Sequence, residues 1–170
     1  MKIGVLIPST SNGMPWKSYE DSFLFNITLK TFIETYDSEH NYTFYIGIDE
    51  NDPIYDNETT KQKLSIYISD RKNIYVSNEK NIYVSNRNID IKFIYMKNIK
   101  KGHLTKMWNM LFKKAYDDNC DYFLQCGDDI EFKTKGWIND AIIKLSMSNN
   151  IGISGPLTNN KRILTQTFVS

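Results

Sequence analysis

The sequence predicts an α/β domain with a mostly parallel central sheet flanked by helices. Three observations predict it. Short runs rich in branched and aromatic residues alternate with longer segments whose apolar residues recur at helical spacing, the order of strand–helix units. The run Cys120-Asp121-Tyr122-Phe123-Leu124-Gln125-Cys126 has the apolar, aromatic character of a strand covered on both faces. That run stops at Gly127-Asp128-Asp129, and open α/β sheets bind ligands beyond the carboxyl ends of their strands.

Ile3–Ile7, ended by Pro8, reads as a first, central strand, and Pro8-Ser9-Thr10-Ser11-Asn12-Gly13 as a small polar loop able to approach a nucleotide. Phe25, Leu29, Phe32, Ile33 and Tyr36 share one helical face, which predicts a helix from about Tyr19 to Tyr36. Tyr42–Ile48 alternates as a second strand and ends in the acidic cluster Asp49-Glu50-Asn51-Asp52-Pro53. The cluster lacks the glycine and spacing of a calcium loop. Asp49 sits where a carboxylate can accept hydrogen bonds from a ribose or base; a turn residue bonding its own backbone is the alternative.

A weaker helical pattern runs over Glu58–Ser69. The tandem repeat Lys72-Asn73-Ile74-Tyr75-Val76-Ser77-Asn78-Glu79 and Lys80-Asn81-Ile82-Tyr83-Val84-Ser85-Asn86-Arg87 follows. Two copies are too few for a solenoid. They read as a duplication inside a surface loop, able to pair as a hairpin. Ile89–Met96 is a third strand. Lys97–Lys101 is a basic loop, and Leu104, Met107, Trp108, Leu111, Phe112 and Ala115 form the clearest helical stripe in the chain. The opposite side of that helix start carries Lys106 and Asn109. Trp137–Met147 is a further helix, Ile151–Ser154 a short strand, and Ile163–Val169 weakly strand-like.

Composition narrows the functional classes. The chain has 170 residues, 41% hydrophobic and 24% charged, which suits one soluble globular domain. Its net charge of +1 offers no electrostatic footprint for nucleic acid or an anionic membrane. No apolar run approaches the ~20 residues of a membrane span, and no signal peptide precedes Ile3, so the sequence reads as cytoplasmic. The asparagine sequons at Asn26, Asn41 and Asn57 are then chance matches in an Asn-rich chain. Cys120 and Cys126 on one strand stand about 20 Å apart, too far for a disulfide, and read as small buried residues.

The chemistry concentrates at Asp128 and Asp129. Adjacent carboxylates at the mouth of a buried strand repel each other and are costly to desolvate. A hard divalent cation, Mn²⁺ or Mg²⁺, relieves both penalties and prefers oxygen ligands; a solvated turn is the alternative. Taken in order, the strand ending in Pro-Ser-Thr, the second strand ending in Asp49, the Gly102…Asn109 helix and the strand ending in Asp128-Asp129 resemble the nucleotide-binding half of GT-A-fold glycosyltransferases. Family 2-like enzymes are the nearest match.

The resemblance covers about Lys2 to Pro156 and implies a GT-A-type, Rossmann-like sandwich. It implies a single nucleotide-sugar-binding domain over residues 1–170, with a surface insertion at about 70–88. Pro8, Ser9, Thr10 and Asp49 would line the nucleoside pocket, with Lys106 and Asn109 beside it. Asp128 would approach ribose or metal, and Asp129 would ligate the metal. The partner implied is a UDP- or GDP-type nucleoside-diphosphate sugar, whose sugar passes to the hydroxyl of an unknown acceptor. Two departures stand out: Gly127 occupies a position usually acidic in the family, and no Asp, Glu or His follows Asp140. Inverting members place a general base in that later half, so the sequence reads as lacking a C-terminal acceptor portion. A non-catalytic binding or assembly module of the same fold is the second reading. A nucleotidyltransferase, suggested by Gly-Asp-Asp alone, is the third.

Overall fold

In the computed structural model the structure describes residues 1–76, 80–85, 87–99, 102–148, 151–155 and 167–169, with 71–76, 80–85 and 167–169 described by their backbone. The central sheet contains β1 (Lys2–Pro8), β2 (Asn41–Ile48), β5 (Ile89–Tyr95), β6 (Tyr122–Gln125), β7 (Ile153–Ser154) and β8 (Thr167–Val169). Its order is β5-β2-β1-β6-β8-β7. The first four run parallel, with Ile3 opposite both Tyr42 and Tyr122, and Tyr42 opposite Ile89. Antiparallel β8 closes this block against β6 and also pairs with β7. The sheet is therefore mostly parallel, as the alternation of elements predicts. The weakly strand-like tail is a strand at Thr167–Val169, and residues 156–166 lie outside the described residues.

Helices cover both faces. The alternate strand residues Ile3, Val5, Ile7, Phe44, Ile46 and Leu124 join Phe32, Leu64, Ile68, Ile138 and Ile142 in one core. That core packs α1 (Lys30–Thr35), α2 (Glu58–Ser69) and α4 (Trp137–Ser146) on a single face. Leu6, Tyr45 and Phe123 point the other way and pack under α3 (Leu104–Asp117) with Leu111 and Ala115. The helical stripe read from the sequence thus meets the sheet, except that Leu104 in the first turn stays 49% exposed. Both cysteines are free and buried.

The helix expected over Tyr19–Tyr36 is three elements. A capping box between Ser18 and Asp21 closes a 3₁₀ turn, Tyr19–Asp21, and Ser22 then adopts extended backbone. A π-helical segment, Leu24–Leu29, follows and runs into α1. The wide turns of a π segment are uncommon and cluster at functional sites. Phe32 is fully buried at the centre of this layer. Its ring meets Phe44 at 4.9 Å, Tyr42 at 5.2 Å, Phe132 at 5.4 Å and Trp137 at 6.2 Å, all edge-on. Edge-to-face pairs of this kind add to the area buried.

The repeat folds as the hairpin its sequence allows. β3 (Arg71–Val76) and β4 (Lys80–Ser85) pair antiparallel in a separate sheet, with Ile74 opposite Ile82. Residues 77–79 and 86 lie outside the described residues.

Asp37 supplies the start of α4 from across the core. Gly136, at φ +82°, caps that helix without a side chain of its own. Asp37 instead accepts from Gly136 N (3.2 Å) and Asn139 N (3.1 Å). A carboxylate there satisfies free N–H groups and opposes the helix dipole. Asp37→Ala is expected to cost about 1–2 kcal/mol of stability, measured by urea unfolding, with Asp37→Asn recovering part of it.

Candidate functional site

The carboxyl ends of the four parallel strands bring three separate stretches of sequence to one edge. Ser9 N donates to Gly47 O at 2.8 Å, which carries the β1 ladder past Pro8 and lays the first loop beside the end of β2. Ser9 Oγ donates to Asp128 Oδ2 at 2.6 Å. Thr10 Oγ1 donates to Asp49 Oδ2 at 2.8 Å, and Asn12 Nδ2 donates to the same oxygen at 3.0 Å. Residues from the first loop, the second strand's end and the acidic pair therefore form one connected polar network. The described side-chain hydrogen bonds to Asp49 and Asp128 land on Oδ2.

Asp52, to which the sequence reading gave no role, ties the first loop down. It is 2% exposed. Oδ2 accepts from Ser11 N at 2.7 Å, and Oδ1 accepts from Ser11 Oγ, Ile54 N (3.0 Å) and Tyr55 N (2.8 Å). An Asp before Pro that bonds backbone two and three residues on is an Asx-turn, and the Asp52-Pro53 dipeptide was its signal. Tyr55 was invisible to periodicity. It is fully buried, and its hydroxyl lies beside Ser22 and Ser9 but makes no well-formed hydrogen bond with a described group. Burial first, then the charges of Asp128 and Asp52, push its phenol up to about 12.

Two threonines hold the acidic pair in place. Thr28 Oγ1, in the π segment, accepts from Ile130 N at 3.1 Å, and Thr31 Oγ1, one turn on, accepts from Phe132 N at 3.0 Å. The backbone immediately after Asp129 is thus hydrogen-bonded to helix side chains rather than to a strand. Sequence reading missed both threonines because each sits in a stripe read for its apolar residues.

Asp128 is half-buried, and desolvation raises its carboxyl above the usual range; repulsion from Asp129 adds to this, and the Ser9 hydrogen bond opposes it. The same two charges, after burial itself, hold the Cys126 thiol protonated. Asp129 folds back over Gly127: a Cβ at Gly127 would stand 2.8 Å from Asp129 Oδ1. A side chain at Gly127 would displace the exposed Asp129 carboxylate from this position.

The sequence-predicted residues divide cleanly. Pro8, Ser9, Thr10, Asp49 and Asp128 converge, with Asp129 adjacent. Lys106 and Asn109 are exposed on α3 and form no hydrogen bond with that network among the described residues. They share its end of the sheet, since α3 starts where β5 ends. Among the described residues no group of three or more His, Cys, Asp or Glu is placed to hold a metal ion. Asp128 and Asp129 together supply two carboxylates, and one or two carboxylates with substrate phosphates are a common anchor for a hydrated Mg²⁺. A cavity of about 290 Å³ opens just downstream, lined by Glu131, Phe132, Trp137, Asp140, Lys144 and Ser154.

No protein-family model matches this chain, and no curated protein matches it in sequence. Among the described residues no helix is long and apolar enough to cross a membrane.

Two outcomes follow from this geometry. Thr28→Val leaves Ile130 N without its partner and should lower stability by about 1–3 kcal/mol, read from urea denaturation, with Thr28→Ser restoring most of it. Because the folded carboxyl of Asp128 titrates above its unfolded value, its ionisation opposes folding. Its destabilising effect is absent below the ordinary Asp range near pH ~4 and grows as pH rises through the folded value. Asp128→Asn should therefore raise the metal-free melting temperature at pH 7 and leave it unchanged near pH 3; a lowered melting temperature at pH 7 contradicts this.

Proposed function

We propose that the domain binds a nucleoside-diphosphate sugar through a divalent cation and transfers the sugar to an acceptor hydroxyl, as a GT-A-type glycosyltransferase. The observation that carries this reading is the pair of bonds Ser9–Asp128 (2.6 Å) and Thr10–Asp49 (2.8 Å). They join, at the carboxyl edge of a parallel sheet, the stretches that a nucleoside and its diphosphate need together. In this reading Asp49 Oδ1 accepts from the nucleoside, while the first-loop hydroxyls orient it. Lys106 and Asn109 flank the base from α3. Asp128 and Asp129 hold Mn²⁺ or Mg²⁺, whose chemistry is to neutralise charge on the departing diphosphate. The raised carboxyl of Asp128 supports a cation there, since a positive neighbour reverses both the desolvation and the repulsion that raise it.

One sequence feature favours a second reading, a binding module of the same fold without turnover: residues 141–170 contain no Asp, Glu or His to act as a base. Release of labelled sugar from a sugar nucleotide by the purified chain, dependent on Mn²⁺ and lost in Asp129→Asn, decides for the transferase.

Binding itself is tested by thermal shift. A UDP or GDP sugar with Mn²⁺ at about 100 times its dissociation constant stabilises by about 2.7 kcal/mol, a rise of about 5–10 °C for a domain of this size. Either component alone should give much less, and Asp129→Asn should abolish the joint effect. An unchanged joint shift in that variant removes Asp129 from the metal site.

A further inference from the structure

We propose that Tyr55 is a positioning residue for the acidic edge: its hydroxyl donates to Ser9 Oγ when a cation occupies Asp128 and Asp129, and so fixes the rotation of Asp128. The inference rests on the cation-and-nucleotide reading of that edge and adds a residue behind it.

Tyr55 and Ser22 are fully buried, and Ser9 is 7% exposed. The Tyr55 hydroxyl lies beside both serines but has no well-formed hydrogen bond with a described group. A buried polar group left unpaired is costly and calls for a reason. Burial also keeps the phenol protonated, and therefore a donor.

Proton counting sets the direction of the bond it can make. Ser22 Oγ donates to Tyr19 O at 2.6 Å and accepts from Phe25 N at 3.2 Å. Ser9 Oγ donates to Asp128 Oδ2 at 2.6 Å and accepts from no described group. Each serine has a single proton, and both are committed. Tyr55 therefore faces two acceptors, and of these only Ser9 leads to the acidic pair.

The two residues are anchored separately. Tyr55 N donates to Asp52 Oδ1 at 2.8 Å, and Ser9 N donates to Gly47 O at 2.8 Å. A donor on Ser9 Oγ polarises its O–H and strengthens the bond to Asp128. That bond holds Asp128 by one oxygen. A carboxylate fixed in rotation then presents its other oxygen to a cation at a set angle.

The test compares the natural chain with Tyr55→Phe, which keeps the ring and removes only the hydroxyl. Stability without ligand is read from urea unfolding. Binding of UDP and of GDP, each with Mn²⁺, is read from titration calorimetry. The ligand-free variant should be as stable as the natural chain or more so, because an unpaired buried hydroxyl is lost. Its Mn²⁺–nucleotide affinity should fall by about fivefold, the scale of one hydrogen bond. That loss should vanish when Tyr55→Phe is made in a Ser9→Ala chain and persist in a Ser22→Ala chain, a pattern that mere packing of the ring would not produce. Undiminished affinity in Tyr55→Phe, or lowered stability of the ligand-free variant, overturns the proposal and leaves the transferase reading standing. Absence of Mn²⁺-dependent binding of either nucleotide by the natural chain overturns both.

Discussion

Negative charge gathered at the end of a parallel sheet is the constraint on which this molecule depends. Asp49, Asp52, Asp128 and Asp129 all lie close to the carboxyl ends of β1, β2 and β6. Asp49 and Asp128 would lose their described side-chain donors if the first loop were apolar, and Asp52 would lose the Ser11 hydroxyl while keeping its backbone donors. Ser9 serves Asp128, Thr10 and Asn12 serve Asp49, and Ser11 serves Asp52 with both its amide and its hydroxyl. Asp129 has no described donor and rests over the bare Cα of Gly127. The polar loop thus does for these carboxylates what water would do at an ordinary surface, while holding their geometry fixed.

The rest of the fold holds that edge from below. Thr28 and Thr31 fasten the chain after Asp129 to the helical layer, and the Phe32 ring two positions earlier than Glu34 fills the space between that layer, β2 and Phe132. Asp37, just past α1, starts α4. One short helical stretch therefore connects the acidic loop, the aromatic core and the following helix.

Much of this was legible in the sequence because burial imposes repetition. Ile3–Ile7, Tyr42–Ile48 and the Leu111/Ala115 stripe announced their elements through spacing, and the strand ending at Asp128-Asp129 through its abrupt change from apolar to acidic. The convergence of Ser9, Asp49 and Asp128 followed from where parallel strands end. The polar scaffold was not legible in the same way. Thr28, Thr31 and Tyr55 act through contacts with residues distant in sequence or through a single buried hydroxyl, and neither leaves a period. The break of the first helix was signalled by Ser18 and Asp21, whose capping spacing fell within a stripe read for its apolar members.

The self-paired hairpin of β3 and β4 bears on how this chain can change over generations. Near-identical tandem copies invite replication slippage, and copy number is then unstable. Here the copied segment is bonded to its own duplicate, with Ile74 facing Ile82, while β5 takes its alignment from β2 through Tyr42 and Ile89. Expansion or contraction of the repeat is thereby confined to an appendage. The frame that carries the acidic edge is insulated from length polymorphism in the very stretch most prone to it.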